Sequence, residues 1–266
     1  ALEVCSEIAA KGYKVFVQAM VSLSYSDEEF LSLIKEVNRI SPYVFYIVDS
    51  FGMMKKKNLM RLFYLIENNL NQDIWIGFHS HNNMQLAYSN AQNLVEVQTS
   101  RGIIIDASIY GMGRGAGNLN TELFVEYLNE NYGKKYVLKP ILSVIDKILS
   151  GFYQSKSWGY SLPNYISAKH WSHPSYAIYL SEKNTLTVEA MDEIFSMLPD
   201  EKRFEFDKNL IEELYIRYLA TGNVQDGHRE ELKKQFFCRE IVLIAPGKSS
   251  EDEKEVIHQK LADDNV

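Results

Sequence analysis

Cysteine is nearly absent from this chain of 266 residues. There are two, Cys5 and Cys238, far apart in sequence. That excludes a disulfide framework and fits a reducing, cytoplasmic compartment. Excess positive charge is also missing. The formal net charge is -7, and Lys55-Lys56-Lys57 is the one basic cluster. A solvated loop or helix start accounts for it, so binding driven by phosphate attraction is excluded and no nucleic-acid partner is expected. No apolar run reaches the length of a bilayer span, so no membrane partner is expected either. The first residues, Ala1-Leu2-Glu3-Val4-Cys5-Ser6-Glu7, carry acids where a secretory leader needs bases, and no Met starts them. The chain is therefore expected to be a piece of a longer one. Low-complexity tracts and repeats beyond a strand–helix alternation are lacking. What remains is a globular composition, 46% hydrophobic.

The alternation is regular. Residues 1–11 read as the tail of a helix with Leu2, Cys5, Ile8 and Ala9 on one face, stopped by Gly12. Lys14 to Met20 reads as a strand. Ser26-Asp27-Glu28-Glu29 is a capping box that opens a helix with Phe30, Leu33, Ile34, Val37 and Ile40 inward, ended by Pro42. Val44 to Ser50 is a nearly continuous apolar strand. The next helix buries Leu59, Leu62, Phe63, Ile66 and Leu70. A third strand spans Ile74 to His81, with a helix from Met84 to Thr99 broken by Gly102. A fourth strand, Ile103 to Ser108, leads through a glycine-rich turn to a helix with Leu123, Phe124, Tyr127 and Leu128 inward. Strands with so little polar alternation predict a parallel sheet covered by helices. The polar clusters follow the strands: Gln18 and Met20, Asp49 and Ser50, His79 to Asn83, Asp106 to Asn118. Both a (β/α)8 barrel and a doubly wound sheet build their sites there, and spacing does not separate them.

Beyond Tyr136 helices dominate: Leu138 to Leu149, Asn164 to Leu180, Thr187 to Leu198 and Asp207 to Ala220, with Thr187 and Asp207 as N-caps and Gly222 as a C-cap. From Arg239 a strand, Ile241 to Ala245, a turn, Pro246 to Ser250, and a charged helix from Glu251 follow. One such unit cannot bury a core and reads as the opening of a further α/β domain. The expected division is 1–136, 137–236 and 237–266.

The chemistry gathers on the third strand. Gly77, His79 and His81 share one face and Ile74, Ile76 and Phe78 the other. Two imidazoles on one strand face, with the small Gly77 leaving room beneath, predict a divalent metal site completed by a carboxylate. The plain alternative is a pair of hydrogen-bonded core histidines; the polar surroundings, Asn82 and Asn83, favour the metal. Gly111-x-Gly113-x-x-Ala116 matches the dinucleotide fingerprint in letters, but no acidic strand end follows as the ribose contact requires. Its glycines read instead as letting backbone fold close over a small anion or a metal. Gly247-Lys248-Ser249 resembles a P-loop ending, but position 242, where the first glycine belongs, is Val242. Asp49-Ser50 reads equally as a carboxylate-binding strand end and as a turn cap.

Gly77-x-His79-x-His81-Asn82-Asn83-x-x-Leu86-Ala87-x-x-Asn90, together with Asp106-Ala107-Ser108-x-x-Gly111-Met112-Gly113-x-Gly115-Ala116-Gly117-Asn118-x-x-x-Glu122, resembles the metal-dependent pyruvate aldolase/lyase superfamily of TIM-barrel enzymes. The forms are most similar to the 4-hydroxy-2-oxovalerate aldolases, and Val48-Asp49-Ser50-Phe51-Gly52 resembles their Asp-Ser-Gly-Gly strand end. The resemblance covers roughly residues 1–130. It implies the C-terminal half of a (β/α)8 barrel, followed by a helical extension and the start of a further α/β unit, because the family's first strand, ending in Arg-Asp, has no counterpart upstream of Lys14. That Asp would be the third metal ligand and that Arg the enolate stabiliser, so this piece alone is expected to be inactive.

The resemblance further implies Mn²⁺ or Mg²⁺ held by His79 and His81, with Asn118 as a further ligand or as the fixer of the glycine turn. Gln18, Asp49, Ser50 and Asn118 are the candidate contacts to a 2-oxo acid, which would react with an aldehyde. Ser175-Tyr176-Ala177-Ile178-Tyr179 is similar to a tyrosine-bearing family helix, so Tyr176 or Tyr179 would move a proton at the substrate hydroxyl. A homo-oligomer is expected. Schiff-base chemistry is not, since Lys14 lies at a strand start and no strand end offers a lysine. Two other readings stand beside the aldolase: an acyl-CoA condensing synthase of the same superfamily, and a non-catalytic, truncated interaction module.

Overall fold

The computed structural model describes residues 2–220, 234 and 253–262. The expected cap Gly222 and the expected strand over residues 241–245 lie outside the described residues. The chain forms two compact units, residues 1–214 and 215–266.

In the first unit, α1 (Leu2–Ala10) precedes β1 (Phe16–Ala19), α2 (Asp27–Ile40), β2 (Val44–Asp49), α3 (Lys56–Asn69), β3 (Trp75–Ser80), α4 (Ala87–Val95), β4 (Ile103–Ile105) and α5 (Thr121–Tyr132). The strands form one parallel sheet in the order β1-β2-β3-β4. The chain is thus α/β, as the alternation predicts. One sheet face packs on the helices: Ala19, Phe45, Ile47, Ile76 and Phe78 share a core with Phe30, Ile34, Leu59, Leu62, Phe63 and Ile66. α2 begins at the expected capping box, in which the Ser26 hydroxyl accepts from the Glu29 N–H and the Glu29 carboxylate accepts from the Ser26 N–H. Buried Arg101 ties β4 to the end of α3. Its guanidinium meets the Glu67 carboxylate at 2.9 Å and donates to the carbonyls of Glu67 and Leu70, where a cation complements the helix terminus.

All four strands and the helix after the third are shorter than expected. β4 stops at Ile105, and Ser108 instead donates to the Leu119 carbonyl, where the chain returns from the glycine turn. β3 ends at Ser80, and His81 forms a single bridge to Asn118. α4 begins at Ala87 because Gln85 takes a left-handed φ of 56° and the Asn82 side chain accepts from the Ala87 N–H.

The helices that follow are α6 (Leu138–Val144), α7 (Ser150–Ser155), α8 (Leu162–Lys169), α9 (Pro174–Glu182), α10 (Val188–Ser196) and α11 (Lys208–Ala220). One π-helical turn, Ile145–Leu149, joins α6 to α7. The expected single helix over Asn164–Leu180 is two, α8 and α9. Pro174 has no N–H to donate and opens α9 in its first turn, with the His173 ring accepting from the Ser175 N–H. Thr187 and Asp207 cap α10 and α11 as expected. In the second unit, α12 (Lys254–Leu261) is the charged helix expected from Glu251 onward. No helix among the described residues is long and apolar enough to cross a membrane.

Candidate active site

The sheet face turned away from the helices carries the polar residues. Gln18, Tyr46, Gly77 and Ile104 align in register across the four strands, and Val48 lies opposite His79 one step further on. Gly77 does not leave room for an ion. A Cβ there would lie 2.5 Å from the Tyr46 ring, so the space beneath the histidines is filled by that ring. Freed to lie flat, Tyr46 reaches Asp106, its hydroxyl donating to Oδ1 at 3.0 Å. The other carboxylate oxygen is 3.1 Å from His79 Nδ1. Asp106 is set there by its own N–H, which donates to the Phe78 carbonyl at 2.9 Å. Burial, and then the Asp106 charge, push the Tyr46 phenol well above its ordinary pKa, so it stays a donor. With Nδ1–H given to Asp106, His79 keeps its Nε2 lone pair free. This carboxylate–imidazole pairing is the one that orients metal-binding histidines.

His81 stands beside His79, ring centroids 5.4 Å apart and planes at 77°. Burial, then the neighbouring His79 and Arg114, lower its pKa to about 4. The imidazole is therefore neutral near pH 7, the form that offers a lone pair to a metal. Asn118 is bridged to His81 through the backbone, and its amide N–H donates to the Met112 carbonyl at 3.0 Å. Its Oδ1 is buried and has no hydrogen-bond partner among the described residues. A buried carbonyl oxygen without a donor is costly unless something electropositive meets it. The glycine turn makes this possible: Gly117 takes φ +74°, and a Cβ there would strike the Gly111 carbonyl at 2.2 Å. Two oriented imidazoles and one orphaned amide oxygen fit a divalent cation in donor type. Among the described residues no group of three or more His, Cys, Asp or Glu surrounds one point, so the carboxylate ligand expected from sequence is not supplied there.

The other expected site residues divide. Asp49 is buried, and its carboxylate accepts the N–H groups of Met53 and Met54 at 3.0 Å each. It caps the turn after β2 and has no face for a substrate, which decides between the two readings of Asp49. Ser50 Oγ accepts from the Val21 N–H at 2.8 Å and retains its proton. Gln18 is exposed, beside Tyr46 in register. The tyrosines of α9 are not free groups. Tyr176 is fully buried; its hydroxyl donates towards the Lys202 and Glu205 carbonyls at 2.9 and 2.8 Å and accepts from the Asp207 N–H at 3.1 Å. Tyr179 donates to the Glu212 carboxylate, which also holds Lys183. Their expected proton-transfer role is corrected to a structural one, because each hydroxyl is committed to neighbouring helices and the turns between them.

Tyr46, Asp106 and Arg114 are the residues that sequence reading missed. Asp106 heads the Asp-Ala-Ser motif one residue after β4, beside the position of His79 one residue after Phe78, and that offset was the available signal.

The HMGL-like family model matches residues 1–145. The chain is 32% identical over 110 residues to 4-hydroxy-2-oxovalerate aldolase of Pseudoalteromonas translucida (strain TAC 125), covering 41% of this chain and 31% of that protein. It is 34% identical over 110 residues to the enzyme of the same name from Geobacillus genomosp. 3, with the same coverage of 41% and 31%. The chain thus spans about a third of the length of the curated relatives it matches. Among solved structures, the N-terminal domain of a Bacteroides vulgatus protein proposed to be an aldolase superposes with a TM-score of 0.60 at 28% identity, over 68% of this chain and 58% of that one. Rhizobium etli pyruvate carboxylase superposes at 0.55 with 13% identity, over 94% of this chain and 26% of that one, a likeness of fold alone.

Proposed function

The chain belongs to the HMGL-like family, and from that premise we propose that it is the C-terminal half of a (β/α)8 barrel in a divalent-metal-dependent aldolase acting on 4-hydroxy-2-oxo acids. The observation that carries this reading is the orphaned, buried Oδ1 of Asn118, a residue bridged through its backbone to His81, with two adjacent histidines of which one is oriented by a carboxylate and the other kept neutral by burial. His79, His81 and Asn118 would hold Mn²⁺ or Mg²⁺. The cation would polarise the carbonyl of the 2-oxo acid as a Lewis acid and lower the cost of enolate charge.

The chain's own residues do the rest. Tyr46 and Asp106 fix the ring of His79. Ser50, its oxygen already accepting from Val21, directs its proton to the substrate carboxylate, with Gln18 at the open side of the same face. In calorimetry, Mn²⁺ should bind the chain, and His79→Ala or His81→Ala should abolish the binding. Identical heats from wild type and both variants would remove the metal site. Enzymatic class is read separately on the full-length parent: pyruvate release sensitive to chelator and indifferent to borohydride supports an aldolase of this type. Acetyl-CoA consumption without aldol cleavage would identify a condensing synthase instead. The lack of a third carboxylate ligand among the described residues is what both readings expect, since that ligand belongs to the family's first strand; a non-catalytic interaction module differs in predicting no metal binding by this chain.

A further inference from the structure

The glycine turn presents a charge that the site above leaves unused. Arg114 stands exposed between Gly113 and Gly115, and among the described residues it has no carboxylate partner. Its field, after burial, disfavours the cationic form of the neighbouring His81 and His173. Arg114 lines a cleft of 1120 Å³ between the glycine turn and the α7–α8 connection, where Phe152, Tyr153, Trp158 and Tyr160 form an aromatic wall. Lys156 adds a second cation; Glu182, exposed at the end of α9, is the acid in the lining. A smaller cavity of 200 Å³, lined by Asn82, Gln85 and Asn118, shares Tyr153, Trp158 and Tyr160 with the cleft. The wall is fixed in place: Trp158 donates to the Tyr110 carbonyl at 2.8 Å, and the Gly159 N–H to the Gly115 carbonyl at 3.0 Å. Both cavities are thus lined by that wall, and Arg114 lines the larger one.

Size and chemistry then constrain the ligand. Pockets of about 300–1,000 Å³ hold molecules of many heavy atoms, far more than a two-carbon aldehyde. A guanidinium with no carboxylate partner among the described residues favours a carboxylate ligand, which it grips with two parallel hydrogen bonds. We propose that this cleft takes the aldehyde partner of the reaction, that the partner is an anionic aldehyde with an aromatic body, and that Arg114 anchors its carboxylate. The assignment of the ligand as a reacting aldehyde rests on the aldolase reading; the cleft's preference for an aryl carboxylate does not.

The test uses the 266-residue chain in chelator, so that no metal contributes. The probes are 4-(hydroxymethyl)benzoate, an unreactive stand-in for the carboxylated aldehyde, and neutral benzyl alcohol. The carboxylate should bind with a shift of the Trp158 indole N–H resonance, and the alcohol should bind more weakly. Arg114→Met should weaken the carboxylate about tenfold without changing the alcohol, while Arg114→Lys, which keeps the charge but not the two parallel hydrogen bonds, recovers only part of that loss. Equal carboxylate affinity in wild type and Arg114→Met overturns the proposal, as does no binding at saturating millimolar probe. Because metal is excluded, loss of the His79 and His81 site leaves this result intact. Metal binding and pyruvate release without Arg114-dependent probe binding would sink the cleft assignment alone.

Discussion

Gly77 and Tyr46 show how one absent side chain sets the chemistry of another. Without a Cβ at 77 the phenol lies flat across β3 and reaches Asp106, and Asp106 in turn fixes His79. Asp106→Asn should therefore release the Nδ1–H tautomer. It should weaken Mn²⁺ by roughly 10–100-fold, and the His79 imidazole ¹⁵N shifts of the metal-free chain should move. Unchanged shifts would show that Asp106 does not orient the ring.

Asp49 is perturbed for a different reason. Burial pushes its carboxyl up to about 6, against the pull of backbone N–H groups from Phe51 to Met54. Since the folded state raises this pKa above the ordinary 3.8, it holds the proton more tightly than the unfolded chain does. The stability Asp49 contributes is therefore full below about pH 4 and is lost as pH rises through 6. Asp49→Asn should remove that decline, so denaturant titrations at pH 4 and 6 should differ less for the variant than for wild type. Equal differences would contradict the assignment.

Among the elements, what depends on near neighbours in sequence was legible. Ser26 to Glu29, Thr187 and Asp207 cap the helices they were expected to cap, and the periodic faces of α2 and α3 supply the buried Phe30, Ile34, Val37, Leu59, Leu62, Phe63 and Ile66. The histidine pair was legible because strand alternation alone puts both rings on one face. Errors arose where a tertiary partner decides. The apolar spacing of Asn164–Leu180 runs through Pro174 as if helical, and the missing N–H decides against it. The tyrosines of α9 looked available because nothing nearby in sequence announces the carbonyls of Lys202 and Glu205. Tyr176→Phe tests their structural role: it strands two carbonyls and the Asp207 N–H in a buried place, at a cost of about 1–3 kcal/mol. Thermal denaturation should show the loss while calorimetric Mn²⁺ affinity stays the same. A stable variant would return Tyr176 to the list of free groups.

For the whole molecule, the consequence of the architecture lies at the edges of the sheet. β1 and β4 are the outer strands. Along β1 and its flanks, Val15, Val17 and Ala19 turn towards the helices, which leaves Phe16, Gln18 and Met20 on the other face; Phe16 is 48% exposed and Met20 68%. On that face Phe16 adjoins Tyr43 and Tyr46, with ring centroids at 5.6 and 6.3 Å, so its apolar surface continues into the aromatic cluster. A strand edge with unpaired backbone groups and an exposed apolar face is a template for pairing. A second copy can satisfy both at once, covering the face and extending the sheet. Phe16→Lys with Met20→Lys would place like charges on that face, lysine against lysine of a second copy, without altering Val17 or Ala19, which pack inward. Sedimentation velocity of the chain should accordingly give a weight-average mass above the monomer's 30.7 kDa, rising with concentration. The double variant should sediment as a monomer over the same range. A wild-type chain that stays monomeric at every concentration would mean that the open face is covered within the molecule itself.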